Sequence, residues 1–347
     1  MDITHLEVRN LRSHELESRD ITERVTVIIG KNGSGKTTLL EALYIALRGT
    51  SFRGSDNDIL QHDKDWWRIH VSTTNGDRSI AYDNSGENSP RKKILIDERK
   101  FQRMPSNKKI PVVLFEPDDL RVLHGSPARR RNFIDTFIMH INPHYGAIIR
   151  KYERALKQRN TLLKQENASR GNVFAWDMAM AQYGAEIISQ RVMIISKINQ
   201  ELTNTYQSIA GNNDTVDLHY SHTLIDNIQQ KLANMLYTSF ERDKILGFTS
   251  VGPHRHDVMF EFNGQIAAKI ASRGEVRSII LALKFIEVDI TQEATGLSPV
   301  ILLDDVFAEL DETRQRRLAE KCRDNQMFIT STNAYTGIDT SSIIHLG

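Results

Sequence analysis

One cysteine, Cys322, stands in 347 residues, so neither an intrachain disulfide nor a multi-cysteine metal site can form, a pattern that fits a reducing compartment. Long apolar runs are also missing. The longest unbroken one, Ala42 to Leu47, has six residues, against the ~20 that a bilayer-spanning helix needs, so no membrane segment is expected. The opening residues MDITHLEVRN carry Asp2 and Glu7 and lack the basic start and apolar stretch of a secretory signal, which leads to the expectation of a cytoplasmic protein. With only 8 prolines and 19 glycines, collagen-like and low-complexity classes are excluded. Excess charge of one sign is lacking too: 45 Lys and Arg face 44 Asp and Glu, a net charge of +1, so nucleic-acid binding would have to come from a local basic surface.

The chain is globular in composition, 39% hydrophobic and 26% charged, and long enough for two domains at about 100–200 residues each. Val25–Ile29 (VTVII) is a compact β-branched run ending at Gly30, which predicts a buried strand feeding a tight turn. Leu39, Leu40, Leu43, Ala46 and Leu47 then recur at spacings of three and four, the pattern of a helix with one buried face. From Trp66 to Ile96, short alternating stretches separated by turn residues predict an antiparallel meander. Between Pro127 and about Leu236 the period becomes helical, with a polar loop expected after Asn160. Strand signals return at Val258–Phe262, Val300–Leu303 and Met327–Ile329. The expected architecture is an α/β domain split by a helical insertion: residues 1–120 and 241–347 as the core, 121–240 as a helical lobe.

Gly30-Lys31-Asn32-Gly33-Ser34-Gly35-Lys36-Thr37 matches the G-x-x-x-x-G-K-[ST] phosphate loop and lies between the expected strand and helix. Backbone N–H groups of Gly30, Asn32, Gly33, Ser34 and Gly35 are expected to curl round phosphate oxygens. Thr37 and Thr38 open the helix, whose N-terminus adds its positive end; Lys36 reaches the β- and γ-phosphates and Thr37 ligates Mg²⁺. ATP and Mg²⁺ are therefore the expected cofactors. Val300-Ile301-Leu302-Leu303-Asp304-Asp305 is the matching second half: Asp304 ends a buried strand beside the loop, positioned for Mg²⁺, and Asp305 follows as the group that polarises an attacking water. Ser272-Arg273-Gly274-Glu275 looks like the S-x-G-[QE] signature of ABC-type ATPases, and also reads as a plain Ser N-cap with Glu275 closing a capping box. Downstream, Glu309-Leu310-Asp311 resembles the D-loop of the same superfamily.

Three further stretches carry a narrower resemblance. Pro117 to Asp135, with Gly125-Ser126-Pro127-Ala128-Arg129-Arg130-Arg131-Asn132-Phe133-Ile134-Asp135, Gly252-Pro253-His254-Arg255-His256-Asp257, and Leu302 to Asp311 are similar to hallmarks of the RecF family, bacterial recombination and DNA-repair ATPases related to SMC proteins. The resemblance runs over nearly the whole chain. It implies an ABC/SMC-type P-loop ATPase head with an inserted helical lobe, and binding of duplex DNA near single-strand gaps as an ATP-driven homodimer. It also implies partnership with RecR and RecO to load RecA, with the signature at Ser272, Gly274 and Glu275 meeting the γ-phosphate held by the partner subunit. Glu275 stands where this family commonly has Gln, although SMC relatives use Glu there. No histidine occurs in Phe328-Ile329-Thr330-Ser331-Thr332, where many ABC ATPases carry a switch histidine, which suggests that these hydroxyls sense a γ-phosphate weakly and that hydrolysis is slow. Arg12-Ser13-His14 resembles a nucleotide-contacting segment of SMC relatives and reads equally as an exposed turn. Arg129, Arg130 and Arg131 are candidates for DNA phosphates, or alternatively for pinning the lobe to the core. A transport or SMC-like ATPase subunit is the competing class. The helical stretch between Lys36 and Ser272 argues against transport, and its length argues against a long coiled coil.

Overall fold

The computed structural model describes residues 1–86, 90–222, 226–306, 310–332 and 341–346. The chain forms two compact units, Met1–Asp119 with Glu287–Gly347 and Leu120–Ile286. Among the described residues no helix is long and apolar enough to cross a membrane.

In the first unit, β1 (Ile3–Leu11), β2 (His14–Asp20), β3 (Val25–Ile29) and α1 (Lys36–Arg48) lead into β4 (Trp66–Thr73), β5 (Gly76–Asp83), β6 (Arg91–Ile96), β7 (Arg99–Phe101) and β8 (Val112–Phe115). After the second unit come β12 (Val300–Leu303), α9 (Glu312–Lys321), β13 (Met327–Ser331) and β14 (Ser341–His345). Two sheets result. One is antiparallel in the order β2-β1-β4-β5-β6-β7, the meander expected from the alternation with β1 and β2 added. The other is parallel, β14-β3-β13-β12-β8. Helix α1 packs against strands of both sheets, and its Leu39, Leu40, Leu43 and Leu47 are fully buried in one continuous core. It stops at Gly49, whose φ of 85° lets its N–H close back on Ile45 O.

The second unit holds α2 (Pro127–Ile141), α3 (Tyr145–Leu163), α4 (Arg170–Ala210), β9 (Val216–Tyr220), α5 (Ile228–Thr238), α6 (Phe240–Leu246), β10 (Val258–Phe262), β11 (Gln265–Ile266), α7 (Ala267–Ile270) and the start of α8 (Arg273–Thr295). It continues past residue 240, where the sequence expectation returned to the core, because β10 pairs antiparallel with β9 and β11 in a three-stranded sheet. The loop expected after Asn160 is also shorter: α3 runs on to Leu163, which is buried with Val173 and Phe240, and Ser169 then caps α4 by accepting from Asn172 N–H.

This unit has an unusually polar interior. Arg159, fully buried, donates through Nε to Asp177 at 2.5 Å, through Nη1 to Asp243 at 2.7 Å and Thr249 at 2.9 Å, and through Nη2 to Leu236 O at 3.1 Å. Arg191 holds Asp135 with two bonds, at 2.8 and 2.7 Å, and Pro253 O at 2.8 Å. His254 Nδ1 is 2.6 Å from the Tyr152 hydroxyl and His256 Nδ1 2.9 Å from the Tyr220 hydroxyl. Burial is the main cause that pushes both imidazoles down to about 4; nearby guanidiniums, Arg191 for His256 and Arg255 for His254, add to it.

Both histidines therefore stay neutral when folded, while an unfolded chain protonates them near 6.5, so the unfolded state binds more protons on the acid side. Their contribution to stability is complete above about pH 6.5 and declines as the pH falls toward about 4. Urea midpoints measured across that window should fall more steeply for the parent than for His256→Gln; parallel profiles would contradict the neutral assignment.

Candidate functional site: a phosphate loop facing two aspartates

Strand β3 ends at Ile29 and the loop begins at Gly30, whose N–H bonds Ser331 O at 3.1 Å, tying the loop to the end of β13. Two glycines are needed for conformation. Gly35 has φ 92°, and a Cβ there would lie 2.2 Å from His14 Nε2 and 2.5 Å from Ser13 Oγ. Gly33 has φ 85° with no atom within 4 Å of where a Cβ would be, leaving backbone open to an incoming group. Lys36 is buried and donates to Gly30 O at 2.9 Å and Lys31 O at 3.3 Å. Ser34 Oγ is buried without a hydrogen-bond partner, an unmet group of the kind that a phosphate oxygen satisfies. Asn32 is exposed in the same loop, and Thr38 sits buried in the first turn of α1.

Asp304 follows β12, and its Oδ1 accepts from Thr37 Oγ1 at 2.7 Å. Burial raises its pKa, opposed by the Thr37 and Thr330 hydrogen bonds. Asp305 comes next with φ 50°, a left-handed backbone uncommon for a non-glycine residue, held by its N–H donating to Thr330 Oγ1 at 2.8 Å. Thr330 Oγ1 is also 3.0 Å from Asp304 Oδ1. The Thr330 hydroxyl thus organises both aspartates, a role that the sequence reading, which assigned the hydroxyls of this stretch to γ-phosphate sensing, missed. No group of three or more His, Cys, Asp or Glu gathers among the described residues, so a divalent cation here would rest on Thr37, Asp304, phosphate oxygens and water.

The segment Arg12-Ser13-His14 belongs to this site. His14 Nε2 lies 3.1 Å from Gly35 O, and Arg12 binds Glu41 of α1 through two bonds, at 2.6 and 3.0 Å. Glu41, fully buried, went unnoticed in sequence because an isolated Glu on a helix reads as solvent-facing.

Ser272, Gly274 and Glu275 are in the second unit, where Ser272 N–H donates to Glu275 Oε2 at 2.6 Å and Glu275 N–H to Ser272 Oγ at 3.3 Å. This is the capping box at the start of α8, with Gly274 beside open space. Asp311 caps α9 by accepting from Arg314 N–H at 2.9 Å; its pKa is lowered, first by that backbone bond. Glu309 lies outside the described residues. Arg130 grips Asp257 with two bonds, at 2.8 and 2.6 Å, and Gly125 O at 2.6 Å; Arg131 donates to His256 O at 2.6 Å. Both arginines make these contacts within the second unit. Arg129 is half-buried.

The family model described as the RecF/RecN/SMC N terminal domain matches residues 2–346. The chain is 32% identical to the DNA replication and repair protein RecF of Ruminiclostridium cellulolyticum, covering 96% of this chain and 93% of the relative. The chain belongs to the RecF family. A Streptococcus suis RecF is 34% identical over the same shares of each chain. Two solved RecF structures, described as the recombination mediator of the RecFOR pathway with ATP and with ATPrS, superpose with TM-scores of 0.85 and 0.87 at 29% and 28% identity. The first covers 98% of this chain and 94% of that one, the second 99% and 96%. The fold is accordingly that of an ABC/SMC-type P-loop ATPase head. A Pyrococcus furiosus Smc head, at 15% identity and a TM-score of 0.50 over 96% of this chain and 90% of that one, shares the fold alone.

The two loop glycines should separate in mutants. Gly35→Ala forces a left-handed alanine, costing about 1–2 kcal/mol, and drives a methyl into His14, so binding of a fluorescent nucleoside triphosphate should be lost. Gly33→Ala should carry only the backbone cost. Nucleotide titration and thermal unfolding check both; parental affinity in Gly35→Ala would refute the reading of the loop.

Proposed function

We propose that this RecF-family chain is a slow, DNA-stimulated ATPase that acts as a switch in DNA replication and recombinational repair, closing as a dimer on ATP and binding duplex DNA near single-strand gaps. The observation that carries the nucleotide part is the Thr37 hydroxyl bonded to Asp304 at 2.7 Å, beside a loop with an unmet Ser34 hydroxyl and an open Gly33. Those residues fit a triphosphate with a divalent cation. Bound Mg²⁺ would neutralise charge on the β- and γ-phosphates.

The chain's own groups then divide the work. Lys36 exchanges its carbonyl contacts for phosphate oxygens. Thr37 and Asp304 hold the cation. Asp305, fixed by Thr330, polarises the attacking water. With no histidine in the Phe328–Thr332 stretch and Thr330 engaged by both aspartates, hydrolysis is expected to be slow. The signature residues Ser272, Gly274 and Glu275 stand at a helix N-terminus, where they suit the γ-phosphate held by a second copy, and Asp311, at the D-loop position, serves the same composite site. Partnership with RecR and RecO, leading to RecA loading, follows from the family reading and from the neighbours described as members of the RecFOR pathway.

Ser272→Arg should still bind ATP yet remain monomeric in sedimentation with ATP, whereas the parent dimerises with ATP and not with ADP. Asp305→Asn should bind ATP at parental affinity and turn it over at least about tenfold more slowly. A nucleotide-independent dimer, or parental turnover in Asp305→Asn, would overturn the respective assignment.

A further inference from the structure

The chain's net charge of +1 conceals a concentration: residues 91–109 contain eight Lys or Arg and two acidic residues. This run forms β6, β7 and the segment after them, at one edge of the antiparallel sheet. Arg91, Lys93, Arg99, Lys100 and Arg103 are exposed.

Cations commonly guard a sheet edge against pairing with another chain. That explanation covers β7 but not the face of the sheet. The strand register aligns Arg9 of β1 with Arg68 of β4, Arg68 with Ala81 of β5, and Ala81 with Lys93 of β6, so these side chains share one face. That face is the outer one: Arg9, Arg68 and Lys93 are exposed, while the alternate residues Val8, Ile69 and Ile94 are buried. Three strand spacings of about 4.8 Å carry the row about 14 Å across the sheet from β6 to β1, through Arg68 on the interior strand β4, where edge guarding has no purpose. Arg9 is paired with Glu7 at 2.8 Å, but Arg68, among the described residues, donates only to the neutral Ser79 hydroxyl, at 3.1 Å. Trp66, 42% exposed, lies on the same face, two residues from Arg68, while Trp67 turns inward to stack on Tyr82.

An open sheet face with aligned cations and an exposed indole suits a flexible single strand, whose phosphates follow the cations and whose bases stack on the ring. A rigid duplex meets such a face only along a tangent and offers it few phosphates. We propose that the outer face of the antiparallel sheet, centred on Arg68, Lys93 and Trp66, is a platform for single-stranded nucleic acid. This extends the DNA reading given above, and rests on it, by assigning the single-stranded side of a gap to a surface distinct from the nucleotide site.

The test uses the full chain, with and without ATP, and two labelled probes in fluorescence anisotropy: an oligo-dT of about 20 nucleotides and a blunt duplex. Arg68→Glu with Lys93→Glu should weaken oligo-dT binding at least about tenfold and reduce the log–log salt dependence by about 1.4, or about 0.7 for each phosphate that is no longer neutralised. Trp66→Ala should weaken oligo-dT binding about fivefold or more while leaving duplex binding unchanged. The charge-matched control, Arg154→Glu with Lys157→Glu on exposed positions of α3, should leave oligo-dT binding within twofold, and nucleotide binding should be parental in every variant. If the sheet variants keep parental oligo-dT affinity, or the α3 control loses as much, the platform is refuted. Duplex binding by the parent without oligo-dT binding refutes the platform and leaves the DNA reading standing. Binding of neither probe removes both.

Discussion

The phosphate-loop end of the first unit depends on β3, β13 and β12 running parallel and in register. Ile29 pairs with Ser331 and Leu303 with Ile329, so β3 and β13 end level, β12 stops two residues earlier, and Gly30, Ser331 and Asp304 come to the same end of the sheet. From there, short polar bonds do the rest: Gly30 N–H to Ser331 O, Thr37 to Asp304, and Thr330 between the two aspartates. A slip of one residue would shift a strand by about 3.3 Å and turn its side chains to the opposite face. Asp304 would leave the reach of Thr37, and no adjustment of the loop alone would bring it back. The buried apolar strands are what prevent the slip, so the fidelity of the site is a property of Val27, Ile28, Leu302 and Phe328 as much as of its polar residues.

Much of this was legible in the sequence because it follows contiguous patterns. A β-branched run, a glycine loop and a helical leucine spacing lie within residues 25–47, and VILLDD announces its own strand and its own carboxylates. What was not legible depends on partners far along the chain. Three consecutive arginines look the same whether they meet solvent or carboxylates, and only the fold reveals that Arg130 meets Asp257 and Arg131 meets a carbonyl. Thr330 likewise declares its role only once β13 lies beside β12. The basic run at 91–109 is different: the count was there to be made, but the alternation of β6 drew attention to the meander and away from its charge.

The polar interior of the second unit clarifies what one family hallmark does. Gly252-Pro253-His254-Arg255-His256-Asp257 supplies Pro253 O to Arg191, His254 to Tyr152, His256 to Tyr220 and Asp257 to Arg130. One short loop thereby satisfies groups from α2, α3, α4 and β9. Gly252, with φ 122°, has the Tyr152 hydroxyl 2.5 Å from where a Cβ would sit, so glycine is required by both space and backbone. Buried networks of this kind contribute little net energy when complete and cost several kcal/mol when one member is removed. The hallmark is therefore a device for a unique arrangement of helices, and its histidines need no chemical role.

The strand that ends in the phosphate loop is flanked on one side by β13 and on the other by β14, two strands drawn from residues 327–345. During synthesis on a ribosome, β3 is made early and then waits, without either neighbour, through nearly three hundred further residues. Loop closure over such a distance is slow, and the waiting segment is an unpaired apolar strand. A nascent chain thus has the phosphate loop almost from the start and the nucleotide site only at the finish.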